Sequence, residues 1–438
     1  MTLAHFFRRA CCAALLLGAA CAPASAQLRL PSLSLPQQLG PVELGRLQRP
    51  AEQLLDRAPL PDLGRLRLDQ VSALLARHPD LLEADPSGNV AVRSEILAWS
   101  PSAAALQAAA IAGLTISRQQ DYVELGQRLV VLRVPPQTST ASLLQRLRAL
   151  DPDGVYDFNH VYTASGGAGQ PADPARPASA EGNDKTQTRV GLVDSGVDGA
   201  HPVFENVAIK QWGCDGQPHP APHGTAVAAL MVGRSEYFHG AAPGADLFAA
   251  DIYCDAPVGG SVDRIAAALA WLARQEVGVI NISLVGPANA ALARAVAAMQ
   301  TRGHLLVAAV GNDGPAAPPL YPASYPGVIG VSGVDRRGRP LPEAARGPQV
   351  AFAAPGSQMV SAEPGAPPYR QVRGTSYAAP IVAGLLAKRL HRPDTRLGKQ
   401  AVAELARQAV RPDASTVSNE TGYGVVGAEL RTDPARLR

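Results

Sequence analysis

From Arg189 onward the chain alternates short apolar runs with longer amphipathic stretches. The runs RVGLV, ADLFAADIY, VGVINIS, HLLVAAV, VIGVSGV and VAFAAPG have strand length. Between them, SVDRIAAALAWLARQE and ANAALARAVAAMQTRG carry apolar residues at helical spacing. Strands buried on both faces lose the polar alternation of a half-solvated sheet. The pattern therefore predicts an α/β domain with a mostly parallel sheet flanked by helices. In such sheets chemistry gathers at the C-terminal ends of strands. Asp194 ends the first run and Asn312 follows the fourth, so both fall where that rule looks.

The preceding segment has a different rhythm. VAVRSEILAWS reads as a strand and SAAALQAAAIAG as a helix stopped at Gly113. LTISRQQDYVEL and QRLVVLRVP read as two strands joined around Gly126. TASLLQRLRAL is a second helix and GVYDFNHVYTA a last strand. The order βαββαβ predicts a small α+β, ferredoxin-like domain over 90–164. Residues 165–188 are rich in Gly, Ala and Pro without periodicity, which predicts an exposed linker. Residues 27–89 form a Pro/Leu-rich leader, with a helix expected over Gln70–Leu82 because Val71, Leu74, Leu75 and Leu81 share a face. No chemistry is assigned to that leader. The α/β domain is expected over 189–438.

The N-terminus changes the picture of where the chain works. Arg8 and Arg9 precede an apolar stretch, Ala10–Ala20, and Ala24-Ser25-Ala26 has the form of a cleavage site. Residues 1–26 thus predict a signal peptide, and the protein is expected to be secreted, periplasmic or at the cell surface. The stretch is too short to span a bilayer, and no later stretch is apolar enough for a membrane helix. A lipid anchor on Cys21 ranks second, since Gly18 stands where a bulky aliphatic residue is normally read. No pore-forming barrel follows the α/β domain, so a self-exporting architecture is not expected.

Composition removes other classes. The 438 residues carry 40 basic and 37 acidic side chains, a formal charge of +3. That balance gives no argument for nucleic acid or an anionic membrane as partner. Of five cysteines, Cys11, Cys12 and Cys21 leave with the signal. Cys214 and Cys254 remain. They are either a disulfide or two separate buried thiols, and an even count in an oxidising compartment favours the bridge.

Three peptides carry the candidate chemistry: Val193-Asp194-Ser195-Gly196, His223-Gly224-Thr225, and Gly374-Thr375-Ser376-Tyr377-Ala378-Ala379-Pro380. An orienting carboxylate, a general base and a hydroxyl are the parts of an acyl-transfer triad. Each has an ordinary reading alone: Asp194 as a turn residue, His223 as the start of a helix, Ser376 as an N-cap. Together, the order Asp, His, Ser with these flanks resembles the subtilisin-like serine protease family. The resemblance runs from about Arg189 to the C-terminus. Ser376 is expected to begin a helix whose free N–H groups face developing negative charge. Pro380 is expected in its early turns, where a missing N–H does least harm.

The resemblance implies an exported serine endopeptidase made as a zymogen, with Asp194, His223 and Ser376 catalytic and Asn312 as oxyanion donor. The ferredoxin-like domain then resembles the family's prodomain, an intramolecular inhibitor and chaperone. Ser283, Leu284, Val285 and Gly286, with Ala308 and Ala309, would bind protein or peptide substrates, the first four by β-augmentation. Val285 departs from the family's glycine there and is expected to crowd the P1 pocket, as is the short Pro-rich loop 313–320. No cofactor or metal is implied for the chemistry, and the segment 233–245 lacks the oxygen ligands of the family's calcium loop. The alternative is a catalytically silent binding protein on the same scaffold. Another is a surface-tethered partner domain using 27–89 as an arm.

Overall fold

A computed structural model describes residues 63–164, 188–411, 416–432 and 434, all within one compact unit, Leu60–Arg438. The expected signal peptide, most of the leader and the linker 165–187 lie outside the described residues, as does Cys21.

The apolar runs of the C-terminal part form one seven-stranded sheet. Its strands are β7 (Arg189–Asp194), β8 (Ile209–Trp212), β9 (Asp246–Asp251), β10 (Val279–Ile282), β12 (Leu305–Ala309), β13 (Ile329–Val334) and β14 (Val350–Pro355). The order is β14-β13-β12-β10-β7-β9-β8, and every pairing is parallel. Strand order reverses at β7, which is where such a sheet opens a crevice. One face is covered by α4 (Pro222–Val232), α7 (Thr375–Ala387) and α8 (Thr395–Gln408). The other is covered by α5 (Val262–Arg274) and α6 (Ala290–Thr301). Helix α7 is buried along almost its whole length, which its alanines and glycine permit by close packing.

The N-terminal part forms an antiparallel sheet. Its central order is β5-β2-β4-β3, from β2 (Val90–Trp99), β3 (Thr115–Tyr122), β4 (Gln127–Arg133) and β5 (Val155–His160). With α2 (Ala103–Ile111) and α3 (Thr140–Leu150) this is the βαββαβ arrangement read from the pattern. Successive residues of β4 use both faces. Val130 and Leu132 meet α2 and α3, whereas Leu129 and Val131 join the core of α5 and α6. The inner strands β2, β4 and β5 are therefore covered on both faces, while the edge strand β3 stays exposed except at Tyr122.

Two differences from the sequence reading concern the leader. The helix lies at Leu63–Arg77 (α1), earlier than expected, and Leu82–Ala84 (β1) pairs with β2. Both belong physically to the small sheet. Val71, Leu74 and Leu75 pack toward Leu82, Val90 and Val161, which pulls the helix onto that edge.

Strand β5 also supplies helix ends. Asp157 accepts the Ala290 N–H at 2.7 Å, at the start of α6. Asn159 donates to Asp263 at 3.0 Å, at the start of α5. Arg118 bridges Glu95 and Asp263 at 2.8 and 2.7 Å. Burial alone would raise the Asp263 carboxyl, but Arg118, Ser261 and Asn159 outweigh it and hold it below the usual range.

Candidate active site

Four segments converge at the C-terminal edge of the parallel sheet. Asp194 is the last residue of β7 and is buried. Its Oδ1 accepts from the Ser195 N–H at 2.7 Å and lies 2.8 Å from His223 Nδ1. That bond fixes the imidazole with Nδ1–H toward the carboxylate and leaves Nε2 as the basic nitrogen. His223 sits in the first turn of α4. Ser195 Oγ accepts the Gly224 N–H at 3.0 Å and ties this helix to β7. A Cβ on Gly224 would stand 2.1 Å from the Ser195 carbonyl oxygen, so only glycine allows the approach.

Ser376 is the second residue of α7 and is fully buried. Tyr377 follows it, its ring centroid 5.5 Å from that of His223. Burial pushes the Tyr377 phenol up to about 12, so it stays neutral beside the histidine. Asn312 follows β12. Its Oδ1 accepts the Thr375 N–H at 3.0 Å, which aims Nδ2 the other way. Thr375 Oγ1 accepts the Gly311 N–H at 3.2 Å and closes the same corner.

Among the described residues, the buried side-chain atoms without a hydrogen-bond partner include Asp194 Oδ2, His223 Nε2, Asn312 Nδ2 and Ser376 Oγ. Buried polar groups are normally paired, so orphans on four adjoining segments mark a place with work to do. An unpaired imidazole nitrogen can take a proton. A hydroxyl at a helix start can become a nucleophile, and a free amide N–H can hold a developing oxyanion.

The sequence-predicted groove residues gather beside this corner. Ser283 is buried between Asn281, which donates to its Oγ at 2.8 Å, and Ser376, whose carbonyl oxygen accepts from it at 3.0 Å. Leu284 and Val285 form β11, which pairs antiparallel with β6 (Thr163–Ala164), the end of the small domain. Ala308 and Ala309 are buried at the end of β12, where Ala308 faces Ile282 across the sheet and Ala309 faces Val331. They lie within the sheet, one strand-end behind Asn312. Gly286 backs the ring of Tyr162.

Cys214 and Cys254 are joined in a disulfide, with Cα atoms 5.2 Å apart. With Asp251 they bring three potential metal donors within 4.8 Å, but the bridge ties up both sulfurs.

One reading is corrected. Pro380 is the sixth residue of α7, beyond the turn whose N–H groups are free. Its missing N–H would have served the Ser376 carbonyl, which Ser283 takes instead. Two contributors were missed. Tyr162 and Arg67 lie far away in sequence, and no local pattern signals them. Arg67 of α1 reaches Asp313, next to Asn312, at 3.1 Å. Burial nevertheless raises the Asp313 carboxyl above its usual range.

Residues 185–424, more than half of the chain, match the model of the subtilase family. Subtilisin E of Bacillus subtilis (strain 168) is 29% identical over 288 residues, 63% of this chain and 74% of that protein. Subtilisin-like protease 1 of Trichophyton rubrum is 38% identical over 207 residues, 44% of this chain and 40% of that protein. Among solved structures, fervidolysin from Fervidobacterium pennivorans, a keratinolytic enzyme related to subtilisin, has a TM-score of 0.61 at 19% identity. That likeness is one of fold, and it covers 80% of this chain and 62% of that one.

Proposed function

Because this chain belongs to the subtilase family of serine peptidases, we propose that it is an exported serine endopeptidase made as a zymogen. His223 Nε2 takes the proton of Ser376 Oγ as that oxygen bonds to a substrate carbonyl carbon. Asp194 holds the imidazole tautomer and supports its positive charge. Asn312 Nδ2 and the Ser376 N–H hold the oxyanion. His223 returns the proton to the leaving amine, and water then releases the acyl group. The observation that carries this is the set of four orphaned buried atoms on four segments.

In this reading residues 1–26 are the export signal, 27–89 the leader, and 90–164 the prodomain. Residues 165–188 are the linker and 189–438 the catalytic domain. The prodomain inhibits because its last strand pairs with β11, the edge an extended substrate would use. It assists folding because Asp157 and Asn159 complete helix starts of the catalytic domain. Protein or peptide chains are the substrates. The disulfide suits an oxidising compartment outside the cytoplasm.

One observation favours the silent-scaffold alternative: His223 Nε2 and Ser376 Oγ lack a mutual hydrogen bond. Such bonds are often long before substrate arrives. A serine-directed acylating inhibitor, followed by peptide mass mapping, separates the two. Labelling of Ser376 in the wild type, abolished by His223→Ala, is expected. An unlabelled, folded wild type overturns the peptidase reading.

A further inference from the structure

Asn312 Nδ2 is buried without a hydrogen-bond partner among the described residues, so its use as a donor depends on where its loop is held. Two main-chain bonds bracket that loop. The Gly314 N–H donates to the Glu343 carbonyl at 2.9 Å, and the Ala345 N–H donates to the Gly311 carbonyl at 3.1 Å. Residues 343–345 belong to the connection between β13 and β14, and both Glu343 and Ala345 are buried. The donor loop is thus tied to a segment that carries none of the triad.

The Glu343 side chain reaches the other half of the site. Its Oε1 accepts from Arg373 Nε at 2.7 Å and its Oε2 from Arg373 Nη2 at 3.0 Å. Arg373 stands three residues before Ser376. Gly374, between them, lies against the Asn312 amide, where a Cβ would stand 3.0 Å from Nδ2. One residue therefore holds both walls of the oxyanion corner, the donor loop by its main chain and the nucleophile segment by its carboxylate. Two parallel bonds from a planar guanidinium fix direction as well as distance, which a point charge does not.

The chemistry makes that spacing matter. A donor helps only within about 2.7–3.1 Å of the developing oxyanion, and a misplacement of about 1 Å costs on the order of 10²-fold in rate. The Thr375 N–H orients the amide through Oδ1, but it is a single contact at the tip of the side chain. Glu343 holds the backbone from which that side chain hangs. Arg67 also reaches this loop, through Asp313 at 3.1 Å, but it belongs to the leader and leaves with it on processing.

We propose that Glu343 is a positioning residue for the oxyanion hole, setting through Gly314 and Arg373 the distance between the Asn312 amide and the start of α7. The inference rests on the peptidase reading and adds to it a residue outside the triad. The Arg373 side chain is 38% exposed, and ion pairs open to water contribute little to stability. The signature of the pair is therefore expected in the rate rather than in folding.

The test uses the full chain, purified after processing, with one peptide substrate and titration of Ser376 by an acylating inhibitor to count intact sites. Glu343→Gln keeps the size but loses the charged fork, and is expected to lower kcat about 10–30-fold with KM changed less than about twofold. Arg373→Lys keeps the charge, loses the fork, and is expected to behave alike. The background decides the mechanism. In Asn312→Ala, Glu343→Gln is expected to lower kcat by less than about twofold more, because the donor it places is gone. An equal factor in both backgrounds overturns the proposal in favour of a general structural role. An unchanged kcat overturns it as well, and so does a raised one, which would give the released Arg373 charge a direct part at the oxyanion. If Glu343→Gln yields no titratable sites, Arg373→Lys carries the same comparison from the more exposed partner. A wild type that does not react with the acylating inhibitor sinks the peptidase reading and this inference with it.

Discussion

The hydroxyl of Ser283 donates to the carbonyl oxygen of Ser376 at 3.0 Å. In a regular helix that carbonyl would receive the N–H of the residue four places on, which here is Pro380 and has none. The proline frees an acceptor at the start of α7, and Ser283, the residue before β11, supplies the donor. The segment leading into β11 and the start of α7 are thereby bonded to each other.

Ser283→Ala is expected to orphan both the Ser376 carbonyl and the Asn281 amide, costing about 1–3 kcal/mol. Pro380→Ala restores an N–H to the helix. Combined with Ser283→Ala it should recover about 1 kcal/mol of the loss, a positive coupling in a double-mutant cycle. Urea unfolding of both single variants and the double, all in a Ser376→Ala background that cannot digest itself, measures this. Strict additivity would mean the two residues are not exchanging one bond.

Ser376→Ala is expected to leave the precursor uncleaved after signal removal. In the wild type a cut between Ser165 and Gly166 is expected, because Ala164 pairs with Leu284, one place from Ser283. Mass spectrometry of both forms from a protease-free host reads the new terminus. Equal processing of the two would assign maturation to another protease.

Six strands of the parallel sheet announce themselves because burial on both faces forces continuous apolar runs. β8, with the sequence IKQW, does not, since a short sheet-edge strand with two exposed polar residues carries no such signal. Helix α8 escaped for a related reason: few of its residues are buried and its surface is charged. The peptides around Asp194, His223 and Ser376 are legible because their chemistry is local to each motif. What joins them is not. Neither the Ser283–Ser376 bond nor the seating of Tyr162 against Gly286 has a local pattern, because each links residues about a hundred positions apart. Helix α1 was placed too late because only Val71, Leu74 and Leu75 pack on the small sheet, whereas the mostly exposed turns before them carry no apolar face and Leu81 lies in the turn before β1.

Asn312→Ala removes an amide whose Nδ2 has no partner in the resting site. A donor idle in the ground state acts only when the oxyanion forms. kcat is therefore expected to fall about 10²–10³-fold with KM little changed, a range carried over from the equivalent donor of a subtilisin. Steady-state kinetics on one peptide decides it. An unchanged kcat would take Asn312 out of the mechanism.

Asp85 gives the precursor an acid limit. Burial alone would raise its carboxyl, but hydrogen bonds from His160 and Asn89 outweigh that and hold it at about 2. His160 Nε2 is 3.1 Å from Asp85, and its Nδ1 is 3.0 Å from the Asn289 amide at the start of α6. The carboxylate thus orients a residue that joins the two domains. A depressed folded value means the contribution is complete above the unfolded value near 3.8 and is lost as pH falls toward 2. Its size is on the order of 1–2 kcal/mol, given partial solvent screening. Thermal melts of the Ser376→Ala precursor between pH 5 and pH 2 (roughly the window these values bracket) should lose stability in that interval. Asp85→Asn should flatten the slope. An identical slope in the variant would remove Asp85 as the cause.

Val285 and Leu320 are expected to shape the space for the P1 side chain. Both are buried, and both meet over Gly311, the residue before Asn312. A Cβ there would stand 2.4 Å from Leu320 Cδ1 and 3.6 Å from Val285 Cγ1. Aliphatic groups therefore already occupy space beside the oxyanion corner. Overlap rejects large P1 side chains, while small ones lose only some contact. One methylene in such a pocket is worth about 1–3 kcal/mol. Ala, Val or Leu at P1 is then expected to be cleaved about tenfold or more faster than Phe or Tyr. Val285→Gly should shift the preference toward larger residues, measured as kcat/KM on peptides that differ only at P1. A wild type that prefers Phe, with no shift in the glycine variant, would show that the crowding lies outside the path of the P1 side chain.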